Sequence, residues 1–383
     1  MNTLFPGRIV RTLHESVDWV VFSSAITLAF LGAVTMHGFS DATSFSSRQV
    51  TWIALGASLT FLFASLDLRF LRRTATVTTL YSAGIFILLA LLFIAEPFQG
   101  ARSWFAIGPI AIQPADPFKI ILIATLAKYF SRRHVEIANV RHVIISGVYV
   151  FIPVFLIFLQ PDFGTAVIVG AIWFGMVLLS GISKKHLFIL FCAGVALVLS
   201  LWIFVFEPYQ KDRIITFLHP TADIQGAGYN AYQSTVAIGS GEVVGKGIGY
   251  GTQSKLRFLP EYQTDFIFAA FAEEWGFVGV LLVLFLYGTI LVRLLGIAAR
   301  SATNFDSLFI AGVVILFTAH ILIHTGMNMG LLPVTGIPLP FMSYGGSHLM
   351  TEFVALGIIF SMRRYARSVH RDETKNEYLG YAS

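Results

Sequence analysis

Ten apolar segments of nearly membrane-spanning length set the limits on what this 383-residue chain can become. They run at about 17–36, 49–67, 75–95, 117–130, 142–159, 164–182, 187–206, 273–295, 307–328 and 348–362. Roughly 20 apolar residues cross a bilayer as a helix, and inside lipid only helices and closed barrels satisfy their own backbone groups. Composition agrees: 56% of residues are hydrophobic, 12% are charged, and mean hydropathy is +0.75. A soluble domain carries about a quarter of its residues as charges, so a soluble enzyme, a disordered chain and a fibrous repeat are all excluded. The expected fold is an all-α polytopic membrane protein of about ten helices. The fourth and tenth segments are short for a full span. The first is read as a retained helix, since no small-residue cleavage pattern follows it.

Lysine and arginine orient the chain. With alternating loops, 18 of the 26 fall on the side that holds both termini and 8 on the other. This is the positive-inside pattern, so both termini are expected in the cytoplasm. The formal charge of +5 is therefore an orientation signal and not a nucleic-acid footprint. The inner loops are short and basic, and residues 363–383 form an inner tail. The outer side holds a long loop at about 207–272 between helices 7 and 8. Shorter outer loops lie at about 96–116 and 329–347. The lone Cys192 sits in an apolar run and is expected to be buried packing. The ten histidines form no HExxH or Cys/His cluster, so no structural zinc site is expected.

The outer loops hold the unusual residues. In LPEYQTDFIFAAFAEEWG (259–276), Asp265 opens an apolar run that leads to Glu273 and Glu274. A carboxylate at membrane depth is costly unless paired or hydrated, and desolvation raises its pKa toward that of a general base. The plainer reading makes Thr264 or Asp265 the cap of the eighth helix. In GARSWFAIGPIAIQPADPFKIIL (100–122), Asp116 and Lys119 share a helix face. They form either a structural pair or, with Arg102, a phosphate site. In QPDFGT (160–165), Asp162 is either a turn residue capping the sixth helix or a cavity carboxylate.

The glycine-rich stretch 231–261 carries Lys246, Lys255 and Arg257. It fails the phosphate-loop pattern, because Lys246 is followed by glycine and no strand precedes it. A flexible loop that offers NH groups and cations to an anionic lipid headgroup remains open. The segment LLPVTGIPLPF (331–341) has three prolines and cannot be a regular helix. It is expected to be a re-entrant or interfacial turn, buried in protein or lining a cavity. In PFMSYGGSH, Ser343 and Ser347 lack evident His/Asp partners, which argues against a serine hydrolase.

The ordered set QPADPFK, QPDFGT, GAGYNAYQS, AIGSGEVVGKG, GTQSKLRFLPE, TDFIFAAFAEEWG, GLLPVTGIPLPF and SYGGS resembles the SEDS family (shape, elongation, division and sporulation) over nearly the whole chain. PVTGIPLPF and GKGIGYGTQSKLRFLPE are similar to its RodA, rod-shape branch rather than its FtsW, division branch. The resemblance implies a single membrane domain over 1–383. It also implies a peptidoglycan glycosyltransferase that polymerises lipid II at the outer face of the inner membrane, for elongation and rod shape. Its implied partners are a class B penicillin-binding protein and other elongation-complex proteins. Asp265 matches the family's catalytic carboxylate. Arg102, Asp116, Lys119 and Asp162 match cavity positions, and Lys246, Gln263, Glu273, Glu274 and Ser343 fall in the same motifs. A divalent cation, magnesium or manganese, can be held by such carboxylates at a diphosphate, though no ligand spacing demands it. The competing functions are a lipid II flippase, a division-type polymerase and a scaffold. Four features depart from the family pattern: Ala115-Asp116 in place of Ser-Glu, Gln263 in place of His, His348 in place of the second serine of SYGGSS, and His324.

Overall fold

The computed structural model describes residues 16–37, 42–95, 102–107, 110–132, 140–219, 228–256 and 258–380. Arg8, Arg11, Arg133 and Arg257 of the charge pattern, and Gly100-Ala101 beside Arg102, lie outside the described residues.

Each of the ten apolar segments lies in a helix. In chain order these are α1 (Trp19–His37), α2 (Ala42–Ser65), α3 (Thr74–Ile94), α4 (Ala115–Ser131), α5 (Val140–Leu159), α6 (Phe163–Leu179) and α7 (Lys184–Phe204). The following segment forms three short helices, α8 (Pro208–Leu218), α9 (Tyr229–Ser240) and α10 (Thr252–Lys255), before α11 (Ile267–Ala299), α12 (Asn304–Asn328) and α13 (Gly346–Gly380). Among the described residues, α1, α3, α5, α7, α11 and α12 are long and apolar enough to cross a membrane; α6 is apolar but has 17 residues. Helix α4 is also 17 residues long and carries Asp116, Lys119 and Lys128. The chain is thus helical with several membrane-type spans.

Two local features depart from the sequence reading. The stretch expected as a plain outer loop before α4 contains a two-stranded antiparallel hairpin, β1 (Phe105–Ile107) with β2 (Ile110–Ile112). Its alternating apolar and small residues suit a short ladder. Cys192 is exposed rather than packed. It lies on α7, which presents Phe188, Ile189, Phe191 and Val198 outward. An all-round apolar helix at the edge of a bundle meets lipid on most of its circumference, so apolarity there does not mean a protein core.

Lipid tails are as apolar as leucine, so hydrophobic burial does little to join these helices. Packing and interhelical hydrogen bonds do so, the latter at about 0.6 kcal/mol each. Thr60 Oγ1 on α2 donates to Phe353 O on α13 at 2.9 Å, and Tyr81 OH on α3 donates to Tyr149 O on α5 at 2.8 Å. One end of the bundle is clamped by ions. Asp18 pairs with Arg293 at 2.9 Å and Arg363 at 3.1 Å, and Arg72 pairs with Asp306 at 2.6 Å. Since Arg293 lies late in α11 and Arg363 about five turns into α13, the helix starts of both, and the end of α12, lie toward the opposite end. The motifs of the interhelical segments converge there.

Candidate active site

Asp265 sits on the last turn before α11. Glu261, with φ 52°, offers its carbonyl to the NH groups of Thr264, Asp265 and Phe266 at 3.1–3.3 Å. This wraps the chain tightly into the helix. Neither Thr264 nor Asp265 caps that helix with its side chain: the cap position is Phe266, which contributes none. The third helical NH, Ala269 N, donates instead to Asn328 Oδ1 at the end of α12 (3.2 Å). Asn328 Nδ2 in turn donates to Asp265 O at 2.9 Å and to His324 O at 2.9 Å. Asn328 therefore does the capping, and the Asp265 carboxylate is left for other work. Burial pushes that carboxyl up to about 6; the neighbouring Glu261 charge adds to the rise and Arg213 opposes it.

The 331–341 segment lies against Asp265. It is non-helical, as expected, and Ile337, Leu339 and Phe341 are buried. Several of its backbone polar groups have partners within the protein, as buried non-helical backbone requires. His324 Nδ1 meets Ile337 O at 2.6 Å and His320 Nδ1 meets Pro338 O at 3.0 Å. Tyr287 OH donates to Pro340 O at 2.6 Å. Gly336 has φ 70°, and a Cβ there would lie 3.3 Å from Asp265 Oδ2. Ser343 is buried and acts as a clasp: its Oγ accepts from Leu339 N and donates to Thr264 O, both at 2.8 Å. Gln263 belongs to the same clasp through its carbonyl, which accepts from Tyr344 N at 2.8 Å; its side chain bonds Glu261.

A second group gathers QPADPFK, QPDFGT and SYGGSH. Asp116 and Lys119 are both buried and paired at 2.9 Å across one turn of α4. His348 on α13 lies 3.5 Å from Asp116 by Nδ1 and 2.9 Å from Glu352 by Nε2. Asp162 does cap α6, accepting from Thr165 N at 3.0 Å, and it also accepts from Gln113 Nε2 at 2.7 Å. Burial pushes its carboxyl up from the usual range. Gln113 further exchanges backbone hydrogen bonds with Ser347 Oγ at 3.2 and 3.3 Å. Arg102 is anchored by its backbone, which donates to Gln160 O at 3.2 Å, while its side chain is exposed.

Lys246, Glu273 and Glu274 form a third group. Glu273 is fully buried and holds Lys246 Nζ at 2.7 Å, Thr252 Oγ1 at 3.0 Å and Gln253 N at 3.1 Å. Glu274 accepts from Gly249 N at 2.7 Å, and the carbonyls of both residues bind Lys246 N and Gly247 N. The glycine-rich stretch is thus a knot tied around the start of α11. These NH groups are consumed inside the protein, which removes them from the expected flexible, outward-facing loop. Gly276 (φ 65°, ψ −167°) breaks α11 where the knot closes, and a Cβ there would lie 2.3 Å from Gly245 N. Phe277 N and Val278 N donate to Glu242 O and Val243 O instead of continuing the helix.

Sequence reasoning missed Gln113, Asn328 and Glu352. Glu352 did carry a signal, being an acid inside an apolar helix; Asn328 and Gln113 carried none. Among the described residues, no three or more His, Cys, Asp or Glu side chains gather to hold a metal ion. Of the carboxylates expected to hold one, Asp162 is taken by Thr165 and Gln113, and Asp116 gives one oxygen to Lys119 while its other is buried without a partner.

The model of the cell cycle protein family named for FtsW, RodA and SpoVE matches residues 14–368. The chain belongs to this family, the SEDS proteins. Its relatives include the peptidoglycan glycosyltransferase MrdB of Escherichia coli K12, 36% identical over 324 residues that cover 85% of this chain and 87% of MrdB. A chain from work on structural coordination of polymerization and crosslinking by a peptidoglycan synthase complex superposes with TM-score 0.78. It has 30% identity and covers 91% of this chain and 98% of that one. The rod shape determining protein RodA of Thermus thermophilus superposes with TM-score 0.68 at 29% identity, covering 91% and 97%. The SEDS motifs scattered over some 230 residues of sequence meet at one end of the bundle.

Proposed function

We propose that this SEDS protein is a peptidoglycan glycosyltransferase that polymerises lipid II, with Asp265 as general base. One observation carries the reading. Asp265 is a half-buried carboxylate beside the 331–341 segment, with a pKa pushed up to about 6 and with its expected capping duty done by Asn328. A base poised near the working pH transfers protons most effectively. Asp265 takes the proton of the acceptor's 4-hydroxyl. The oxygen attacks the donor's anomeric carbon, and the bond from that carbon to the diphosphate oxygen breaks. Undecaprenyl diphosphate leaves with the electron pair. Arg102, exposed and anchored by its backbone to Gln160, is the cation suited to meet that anion; Lys119 is already paired with Asp116.

The wider setting follows the charge pattern. Residues 1–383 form one membrane domain of ten spans with both termini cytoplasmic, in the bacterial inner membrane, and with Asp265 facing outward. The likeness to a chain of a synthase complex supports a crosslinking partner of the class B penicillin-binding type. The motif PVTGIPLPF and the MrdB relationship favour elongation and rod shape over division.

The test is purified protein, alone and with its partner, given labelled lipid II in liposomes. Polymer is the expected product. Transbilayer movement of lipid II without polymer would replace this reading with that of a flippase.

A further inference from the structure

We propose that His348 is a positioning residue for the polymerisation step, joining the buried Asp116–Lys119 pair to the loop that shapes the surroundings of Asp265. The proposal rests on the glycosyltransferase reading above and adds a residue to it.

The contacts form a continuous path. His348 stands between two buried carboxylates, Asp116 at 3.5 Å from Nδ1 and Glu352 at 2.9 Å from Nε2. An imidazole ring bearing both NH groups suits that place. With Lys119, it gives a cluster of two cations and two anions, the balance that a buried charged group needs. The ring of His320 lies against it, centroids 4.9 Å apart, and His320 holds Pro338 O. Glu352 uses its other oxygen, Oε2, to accept from Phe341 N at 2.6 Å. Phe341 has φ 60°, a left-handed conformation that a bulky residue adopts only when its surroundings impose it. Its ring is held between Phe317 and Phe353, at 5.4 and 5.3 Å. Two residues on, Ser343 bonds Leu339 N and Thr264 O, and Tyr344 N bonds Gln263 O. The next residue after Thr264 is Asp265. Removing His348 leaves Glu352 a buried carboxylate without its cation, while Asp116 keeps Lys119 alone. Glu352 then turns toward another donor, and Phe341 loses the acceptor that fixes it.

His348 is buried, 8% exposed, and is not placed to touch substrate directly. Its effect is therefore expected on the rate of the bound complex rather than on substrate capture. A misplacement of about 1 Å at the reacting groups lowers a rate by about a hundredfold.

The experiment uses the full chain with its partner in proteoliposomes, comparing wild type with His348→Ala, Glu352→Gln and the double variant. Two quantities are read: kcat and KM for lipid II polymerisation, and deuterium uptake over residues 336–344 against the α12 core. Each single variant is expected to lower kcat at least tenfold with KM within about threefold. The double variant is expected to be no slower than the slower single. Uptake over 336–344 rises in every variant while the α12 core stays protected. An unchanged kcat in His348→Ala, multiplied effects in the double variant, or a rise in KM alone overturns the proposal. His348→Gln, which retains an NH donor, replaces His348→Ala if the latter does not fold. If wild type polymerises nothing, the glycosyltransferase reading fails by itself. Loop uptake then still decides whether His348 governs 336–344, and unchanged uptake overturns that link.

Discussion

Asn328 holds Asp265 by its main chain and not by its carboxylate: Nδ2 donates to Asp265 O at 2.9 Å while Oδ1 caps the helix that follows at Ala269 N. One amide side chain thereby fixes where the acid stands and frees its oxygens. Asn328→Leu removes both bonds. A lost cap costs about 1 kcal/mol, and a displaced base costs more in rate than in stability. We expect a small drop in thermal midpoint and a fall in polymerisation of about tenfold or greater, read by lipid II turnover beside a melting curve.

Activity should follow the ionisation of Asp265. The base form exists above its pKa of about 6, so turnover falls as pH drops through about 6. Arg213 favours the charged form and Glu261 opposes it. Arg213→Ala therefore shifts the acid limb of the pH–rate profile upward, and Glu261→Gln shifts it downward. Shifts in the reverse directions contradict the electrostatic assignment.

The same raised pKa bears on stability. An acid whose folded-state pKa lies above its unfolded value of 3.8 destabilises the fold once ionised. That cost sets in as pH rises from about 4 and is complete above about 6. Asp265→Asn should melt higher than wild type at pH 8 and nearly with it at pH 4. Asp265 is half-buried, so water reduces the difference.

Glu273 should behave as a structural residue. It is fully buried and bonds Lys246, Thr252 and Gln253. Glu273→Ala leaves the Lys246 ammonium without its carboxylate, a change that costs about 3–5 kcal/mol when both ions are buried. Lys246 is partly exposed, so the loss should be at the lower end. Activity and thermal midpoint fall together for this variant, whereas for Asp265→Asn activity falls while the midpoint does not.

Gly336→Ala tests the loop beside the carboxylate. The residue has φ 70°, and its Cβ would stand 3.3 Å from Asp265 Oδ2. A left-handed alanine costs about 1–2 kcal/mol. The methyl also crowds the base, so kcat should fall by more than the stability change accounts for.

The helices were legible because lipid solvent demands long apolar runs, and these stand out in composition alone. Asp265 was legible as an acid set against such a run, and the three prolines of 331–341 announced a break in the helix. Other features were hidden by distance along the chain. Gln113 and Ser347 are 234 residues apart in sequence, and Asn328 and Ala269 are 59 apart; no local pattern marks either contact. The glycines of 239–251 suggested mobility, yet Gly241 and Gly245 serve close approach: their backbones run against Ala272, Glu274 and Gly276. Cys192 misled because an apolar neighbourhood reads alike whether it meets protein or lipid.

The central claim is that Asp265 removes the proton in glycan polymerisation. Asp265→Asn keeps the shape and removes the base, so it is the most direct variant. Reconstituted with its partner and labelled lipid II, wild type is expected to build glycan chains, and Asp265→Asn none, at an equal or higher thermal midpoint. Glycan chains of wild-type length and rate from Asp265→Asn would contradict the account.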